Sequence, residues 1–556
     1  MDQLFTVFTD AWTGILAGDF ITIVAFLGLG LLIWDCLEVG RNDAANIVNA
    51  VFGSRILRRR TAVWLAGFAV ILGASAATPV METARKGIFT PSDLTVQQAI
   101  VVYISVYLVD TVLLYSYSAF GMPVSTTACL VFELVGASFG VALSTQGLDG
   151  AIEIVQWQKV GMVIAAIIVS IILSGIAGFL VQRVFRAAVR DDSQDRENIL
   201  LHGPWIAGMM LSWLGWFMLL KGLKGVELVV ALRKATIDEY GAAVVLLVMW
   251  AVFTLLVHLA LVVTGERGTK YLFHFTAVLG MICMAFAFGQ NDLANCASPG
   301  LSAFWLWQHS DKSMMDATEI TIPVWALFAC GVIIVLGMTT RQAQRVTRAA
   351  VNTGSQFDRV ALYAPVWCQR IALALLRLRP KGRDLAPEPT LSERGKKVHY
   401  DALRASVIMA VSASVIAIAS GQGLPVSTTY VGFAAVVATG LADRVMARGD
   451  AELKIGRAIW VIFSWFLAAI IAAVATACVA NIIYHFDFKG LLFAGVANFG
   501  VRWIAKRRSD AQEERVHQRV GTTEEQEWED DNAPADGSAR TSEADEAGGE
   551  TSDDES

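Results

Sequence analysis

The chain has 556 residues, of which 55% are hydrophobic and 17% are charged, whereas soluble domains carry about 25% charged residues. This composition argues against a string of soluble domains. The net charge of −6 hides two opposed regions, because residues 509–556 contain 17 acidic and 3 basic side chains while the rest of the chain is net positive.

Apolar blocks long enough to cross a membrane recur along the chain. Clear examples are residues 61–77, 100–120, 160–180, 241–264, 324–338 and 459–483. A spanning helix needs about 20 apolar residues, and its backbone polar groups must be satisfied within the protein. The pattern predicts an all-α, multi-pass integral membrane protein of the cell membrane, with about 10–12 transmembrane helices. The apolar N-terminus is interpreted as a membrane helix and not as a cleaved signal peptide.

The first motif is GRNDAAN at Gly40–Asn46, which places a carboxylate and two amides in an apolar segment. Ionisable residues inside membrane helices are costly and usually mark ion or substrate pathways. We expect the glycine to interrupt the helix and free carbonyl oxygens, which together with Asp43 and Asn46 would suit a monovalent cation. Capping of an ordinary helix end is the alternative. We expect the Arg41 side chain to reach the cytoplasmic interface. Pairing with Asp43 and contact with an anion are the alternatives.

Glu82 follows the second apolar block, in a stretch that also contains Thr83, Arg85 and Lys86. A carboxylate at this place would suit a coupling cation. A plain interfacial charge explains it equally well, and Glu82 is kept as a cation-site candidate.

The second motif is GMPVSTT at residues 121–127, which predicts the tip of a helical hairpin inside the membrane. Proline favours the first turn of a helix, and the free N–H groups and partial positive charge of a helix N-terminus bind anions, phosphate especially. Ser125, Thr126 and Thr127 would add hydroxyl donors. Hydroxyls that only cap or bond back within their own helix are the alternative.

Both motifs recur in the same order in the second half, as GQNDLAN at residues 289–295 and GLPVSTT at residues 423–429. Such ordered recurrence indicates an internal duplication. It adds a second set of candidates, namely Asn291, Asp292, Asn295, Ser427, Thr428 and Thr429.

The placement of basic residues predicts the orientation of the two halves. Residues 341–404 contain 13 basic and 5 acidic side chains and are expected to be cytoplasmic, whereas residues 144–157 contain no Lys or Arg. The two hairpins would then enter from opposite faces, as in an inverted-topology repeat. The predicted organisation is a first membrane repeat at 1–200, the start of the second at 201–348, a polar cytoplasmic insert at 349–402, the remainder of the second repeat at 403–505, and a disordered acidic tail at 506–556.

The four ordered motifs resemble those of the inorganic phosphate transporter (PiT) family, and the resemblance extends over residues 20–490 apart from the insert. It implies a symporter that carries orthophosphate with sodium ions or protons through a central site made by both repeats. Carried over by position, the resemblance assigns cations to Asp43, Asn46, Asp292 and Asn295, and phosphate to Asn42, Asn291, Ser125–Thr127 and Ser427–Thr429. The chain departs from the family pattern at Arg41, Gln290, Ala128 and Tyr430.

Three other functions compete with phosphate symport. A sulfate transporter would share the architecture, but phosphate carries a proton that an aspartate can accept and sulfate does not. A membrane-embedded phosphatase would need a nucleophile beside a base, and no His or Lys accompanies the Ser-Thr-Thr motifs. A channel fits paired hairpins less well, although only by analogy. The expected partners are phosphate, a coupling cation and the bilayer, with a homodimer as a candidate assembly; no nucleic acid or further cofactor is expected.

Overall fold

The computed structural model describes residues 9, 12–77, 88–90, 93–189, 196–218, 227–308, 323–378, 385, 387–392 and 396–520. These residues form helices and their connections, and no β-strand occurs among them. The first helices are α1 (Phe20–Gly53), α2 (Arg59–Ala74), α3 (Val96–Ala119), α4 (Thr126–Ile154), α5 (Trp157–Ala188) and α6 (Arg196–Gly215). They are followed by α7 (Glu227–Tyr240), α8 (Ala242–Thr264), α9 (Glu266–Gln308), α10 (Val324–Met338), α11 (Arg341–Thr353), α12 (Val366–Arg377), α13 (Ala402–Ser420), α14 (Thr428–Asp443) and α15 (Ala451–Val520).

Eight of the described helices are long and apolar enough to cross a bilayer, or nine if α10 and α11, which meet at a bend of 70°, count as one span. Helix α15 has 70 residues and is broken at Asp487, where φ is 47° and ψ is −123°. Each part of α15 exceeds the about 20 residues that a span requires. The all-α membrane architecture is thus confirmed.

Both Asn-Asp motifs lie inside continuous helices, so the predicted helix interruption is wrong. Helix α1 runs through 34 residues and α9 through 43 residues without a break at the motif. The glycines serve close packing instead. A Cβ atom on Gly40 would lie 2.0 Å from the carbonyl oxygen of Ile334 in α10, and one on Gly289 would lie 2.2 Å from that of Val70 in α2. Only glycine permits backbones to approach so closely.

The two predicted hairpins are formed by α3 with α4 and by α13 with α14. Their connections contain Gly121 with φ of 63° and Gly423 with φ of 73°, in the left-handed region that glycine adopts readily. Most residues of the four arms are buried in the protein. Both tips therefore end inside the helical bundle.

The C-terminal region is helical further than the sequence predicted. Helix α15 continues to Val520, which corrects the predicted start of the disordered tail for residues 506–520. Residues 521–556 lie outside the described residues.

The polar insert at 349–402 packs against the ends of the membrane helices. The His399 N–H donates to the Gly53 carbonyl at the end of α1 at 2.8 Å. The Lys454 ammonium of α15 donates to the Phe357 carbonyl at 2.7 Å. These bonds attach the insert to both halves of the chain.

His399 is expected to make this attachment pH-dependent. Burial, and then the charges of Arg55, Lys397 and Lys454, hold the pKa of His399 well below its usual range. The unfolded chain therefore takes up a proton near pH 6.5 that the folded protein resists, so stability should fall as pH drops below about 6.5. Thermal unfolding of the detergent-purified protein between pH 7.5 and 5.5 should show a steeper loss for the wild type than for His399→Gln. Parallel curves would contradict this assignment.

Candidate functional site

Each hairpin tip ends in a capped helix that points into the protein. The Ser125 side chain accepts the N–H of Ala128 at 3.0 Å at the start of α4, and the Ser427 side chain accepts the N–H of Tyr430 at 3.1 Å at the start of α14. Both serines are buried. The two serine hydroxyls thus cap their own helices, which was the alternative to a direct anion contact.

The motif asparagines hold the two tips by their backbone. Asn42 donates from Nδ2 to the Val124 carbonyl at 2.6 Å, and its Oδ1 accepts the Val124 N–H at 3.3 Å. Asn291 does the same with Val426, at 2.6 Å and 3.1 Å. A side-chain amide that bonds both the N–H and the carbonyl group of one residue fixes the position of that residue. Each tip is therefore held by the asparagine of its own half.

Asp43 is bonded by a residue from the opposite half of the chain. Its Oδ1 accepts a hydrogen bond from Thr429 Oγ1 at 2.8 Å and another from Asn46 Nδ2 at 2.8 Å. Asn46 Nδ2 also lies 2.9 Å from Thr429 Oγ1. The first Asn-Asp motif is thus completed by the second hairpin.

Asp292 is likewise bonded by a hydroxyl from the opposite half, although by Thr126, which aligns with Thr428 and not with Thr429. Its Oδ1 accepts from Thr126 Oγ1 at 2.8 Å and from Asn295 Nδ2 at 3.1 Å, and the Thr127 hydroxyl lies 3.5 Å away. Asn295 Nδ2 donates to Thr127 Oγ1 at 2.8 Å. The second motif is completed by the first hairpin, so the two motif–hairpin pairs form one reciprocal site.

The tips also contact one another directly. Thr127 Oγ1 lies 2.9 Å from the carbonyl oxygen of Val426, and Thr429 Oγ1 lies 3.2 Å from that of Val124. The structure therefore brings together in one place twelve of the thirteen candidates named from the sequence. Glu82, the remaining candidate, lies outside the described residues.

Several buried oxygen atoms in this site have no hydrogen-bond partner among the described residues. They are Asp43 Oδ2, Asp292 Oδ2, Asn295 Oδ1 and Thr428 Oγ1. Asp43 and Asp292 are fully buried. No lysine or arginine within the described ranges forms an ion pair with either carboxylate. Two buried carboxylates without a basic partner require a cation or a proton for balance.

Arg41 does not pair with Asp43. Its guanidinium donates to Glu38 Oε1 at 2.8 Å, three residues earlier on α1, and Glu38 also accepts from Arg502 at 2.6 Å. The Arg41 side chain remains 20% exposed. The arginine in the first motif is therefore engaged beside the site and leaves Asp43 free of an ion pair.

Tyr430, one of the positions at which the chain departs from the family pattern, has a packing role. Its ring stacks on Trp465 of α15 with centroids 3.8 Å apart, and the Trp465 indole N–H donates to the Pro123 carbonyl at 3.2 Å. This contact joins the N-terminus of the second hairpin helix to the tip of the first.

Sequence reasoning missed a group of buried carboxylates in the first half. Asp35, Glu38, Asp110 and Glu133 are all at most 5% exposed. Within the described part of the chain, neither carboxylate oxygen of Glu133 has a hydrogen-bond partner, and one oxygen each of Asp35 and Asp110 also lacks one. Ionisable residues within apolar spans are a signal that the sequence contains, but these four carboxylates lie outside the repeated motifs.

The fold and this site define a multi-pass α-helical membrane protein. Its buried polar centre contains two copies of the Asn-Asp motif, each in contact with a hairpin tip. The model of the phosphate transporter family matches residues 39–352 and 391–476, and these segments contain all four motifs. The chain belongs to this family, which confirms the resemblance drawn from the motifs. It is a membrane transporter for phosphate and not an enzyme.

Curated relatives and a solved structure agree with this assignment. A protein of Pyrococcus horikoshii named "Putative phosphate permease" is 26% identical over 478 residues, which cover 85% of this chain and 98% of the relative. A Haemophilus influenzae protein with the same description is 24% identical and covers 77% of this chain and 89% of its own length. The solved structure titled "The sodium-dependent phosphate transporter" matches 83% of this chain and 99% of its own, with a TM-score of 0.59 and 20% identity. At that identity the structural likeness concerns the fold.

Proposed function

We propose that this protein is a secondary active transporter that moves inorganic phosphate by symport with a cation, either sodium or a proton. The observation that carries the proposal is the reciprocal bonding of Asp43 by Thr429 and of Asp292 by Thr126. Neither half can complete its site alone, so binding at the centre depends on how the halves are placed. Such dependence is what alternating access between two repeats requires.

For the anion, we assign the N-termini of α4 and α14. The first N–H groups of a helix have no partner within it and attract anions, and here two such ends meet with the hydroxyls of Thr126–Thr127 and Thr428–Thr429. Phosphate, with its several acceptor oxygens, suits a site built from many donors. Asn42 and Asn291 support this site by holding Val124 and Val426; direct contact of the two asparagines with phosphate requires them to release those peptides.

For the cation, we assign the carboxylates of Asp43 and Asp292 together with Asn46 and Asn295. Oxygen atoms are the ligands of sodium, and the carboxylates also accept protons. Because the helices are unbroken, backbone carbonyls of the motif stay in helical hydrogen bonds and side-chain oxygens supply the ligands. The inverted topology of the repeats and a homodimeric assembly belong to the same proposal, the first supported by the exchanged contacts of the two halves.

The protein reconstituted in liposomes is expected to accumulate labelled phosphate against its concentration gradient when an inward sodium or proton gradient is applied. The two gradients should be imposed separately, which identifies the cation. Uptake that follows neither gradient would refute symport. Excess arsenate should compete with phosphate, whereas sulfate should compete poorly because it lacks a transferable proton near neutral pH.

A further inference from the structure

A cavity of about 90 Å³ lies at the base of the first hairpin tip, on the side that the basic loops predict to be cytoplasmic. It is bounded by Gly121, by α11 and by two separate parts of α15. A water molecule in the liquid occupies about 30 Å³, so this space holds a few waters or one small oxyanion. Three guanidinium groups line it, those of Arg345, Arg348 and Arg457.

Arg457 is a buried cation bonded only to neutral groups among the described residues. It is 2% exposed, and it donates to the Gly121 carbonyl at 2.7 Å and to the Tyr363 carbonyl at 3.2 Å. Carbonyl oxygens satisfy its N–H groups but do not balance its charge. An anion in the adjoining cavity would supply that balance.

The anions now in contact with the other two arginines come from the C-terminal end of α15. Arg345 pairs with Asp510 at 3.0 Å and also with Glu513, and Arg348 pairs with Glu513 at 3.5 Å. These four side chains are 21–45% exposed. Partly exposed ion pairs contribute little stability, so a soluble anion can replace the carboxylates at small cost.

We propose that Arg345, Arg348 and Arg457 form a second oxyanion site beneath the central site, and that Asp510 and Glu513 occupy it as internal competitors. The expected ligand is inorganic phosphate or another small oxyanion. Gly121 lies two residues before Pro123, so an anion bound at Arg457 adjoins the backbone of the tip itself. The identification of phosphate as ligand rests on the proposed function; the site as an oxyanion site does not.

Binding of labelled phosphate to the full-length protein in detergent tests this site directly. Asp510→Asn/Glu513→Gln should strengthen a second, salt-sensitive phosphate-binding step roughly 3- to 10-fold, because it removes the competing carboxylates. Arg345→Gln/Arg348→Gln should abolish that step. Asp238→Asn, which breaks the exposed ion pair with Arg233 on α7, is the matched control and should change nothing.

The central-site variant Asp43→Asn/Asp292→Asn separates the two proposals. If it loses uptake but keeps the second binding step, both proposals stand. The second site alone would be overturned by a different outcome. The wild type would take up phosphate with the gradient but bind a single phosphate, and the Asp510 and Glu513 substitutions would leave that binding unchanged. Sulfate binding at the second step in a protein that transports no phosphate would refute the proposed function alone.

Hydrogen exchange of the wild type tests the competition without any substitution. Phosphate should speed exchange of the backbone amides in residues 509–516 several-fold relative to chloride at equal ionic strength, because the released carboxylates no longer hold the helix end. Equal exchange in the two salts would show that the ion pairs only dock the helix, and would overturn the proposal.

Discussion

Replacing Asp43 or Asp292 with asparagine is expected to lower cation-coupled phosphate uptake about 10- to 100-fold while the helical bundle remains folded. Asparagine keeps the size of the side chain and still accepts the threonine hydroxyl at Oδ1. It removes the negative charge that balances a cation or accepts a proton. Initial uptake rates in liposomes, normalised to folded protein, measure the effect.

The exposed Asp238 of α7 gives the matched control, since Asp238→Asn makes the same chemical change at a carboxylate that is 49% exposed. Its uptake should equal that of the wild type, and equal uptake in Asp43→Asn would exclude a role for that carboxylate. The reciprocal contacts add a sharper test. Asp43→Asn and Thr429→Val should be non-additive because these residues share a hydrogen bond, whereas Asp43→Asn and Thr126→Val should be closer to additive.

Asp443→Asn is expected to cost about 2–3 kcal/mol of stability, because it removes the fully buried one of the two carboxylates that balance a buried guanidinium and weakens its hydrogen bonds. Arg186, at the end of α5, is 2% exposed and lies 3.0 Å from Asp443 and 2.6 Å from Asp401. Gln182 donates to the same Asp443 carboxylate at 2.8 Å. This cluster joins the first half to the end of the second hairpin. Thermal unfolding in detergent should show the loss.

The double variant Arg186→Leu/Asp443→Leu should recover part of that stability, since neither buried charge then remains unpaired. Asp443→Asn protein that stays folded at low temperature should still transport phosphate, because the cluster lies outside the central site. If the Asp443→Asn protein is as stable as the wild type, Asp401 alone neutralises Arg186.

The composition of the chain and its four motifs were enough to predict a helical membrane protein and the residues at its centre. Apolar blocks report bilayer crossing directly, and a motif that occurs twice in the same order is hard to explain by chance. The sequence did not reveal that the hydroxyl bonded to Asp43 comes from Thr429, in the hairpin of the other half, rather than from the hairpin of its own half. That pairing depends on how the halves pack, which motif spacing does not encode.

The errors have equally physical causes. Gly40 suggested an unwound helix, but a glycine also permits close contact with a neighbouring backbone, and the neighbour, Ile334, is almost 300 residues away. Tyr430 registered as a departure from the family pattern, and its stacking on Trp465 was invisible without the fold. The helical continuation at 506–520 was hidden by the strongly acidic stretch that follows it. Residues 506–520 themselves contain five basic and three acidic side chains, and Asp510 and Glu513 pair with Arg345 and Arg348.

The exchange of threonines between the halves has a consequence for how such a chain can change over generations. In each half the Asn-Asp motif supplies the carboxylate, and the hydroxyl bonded to that carboxylate comes from the hairpin of the other half. A substitution in one copy therefore alters the surroundings of the other, and a compensating change must arise at a distant point of the same chain. We therefore expect the site residues of the two halves to change in a correlated way, even where the rest of the two halves diverges.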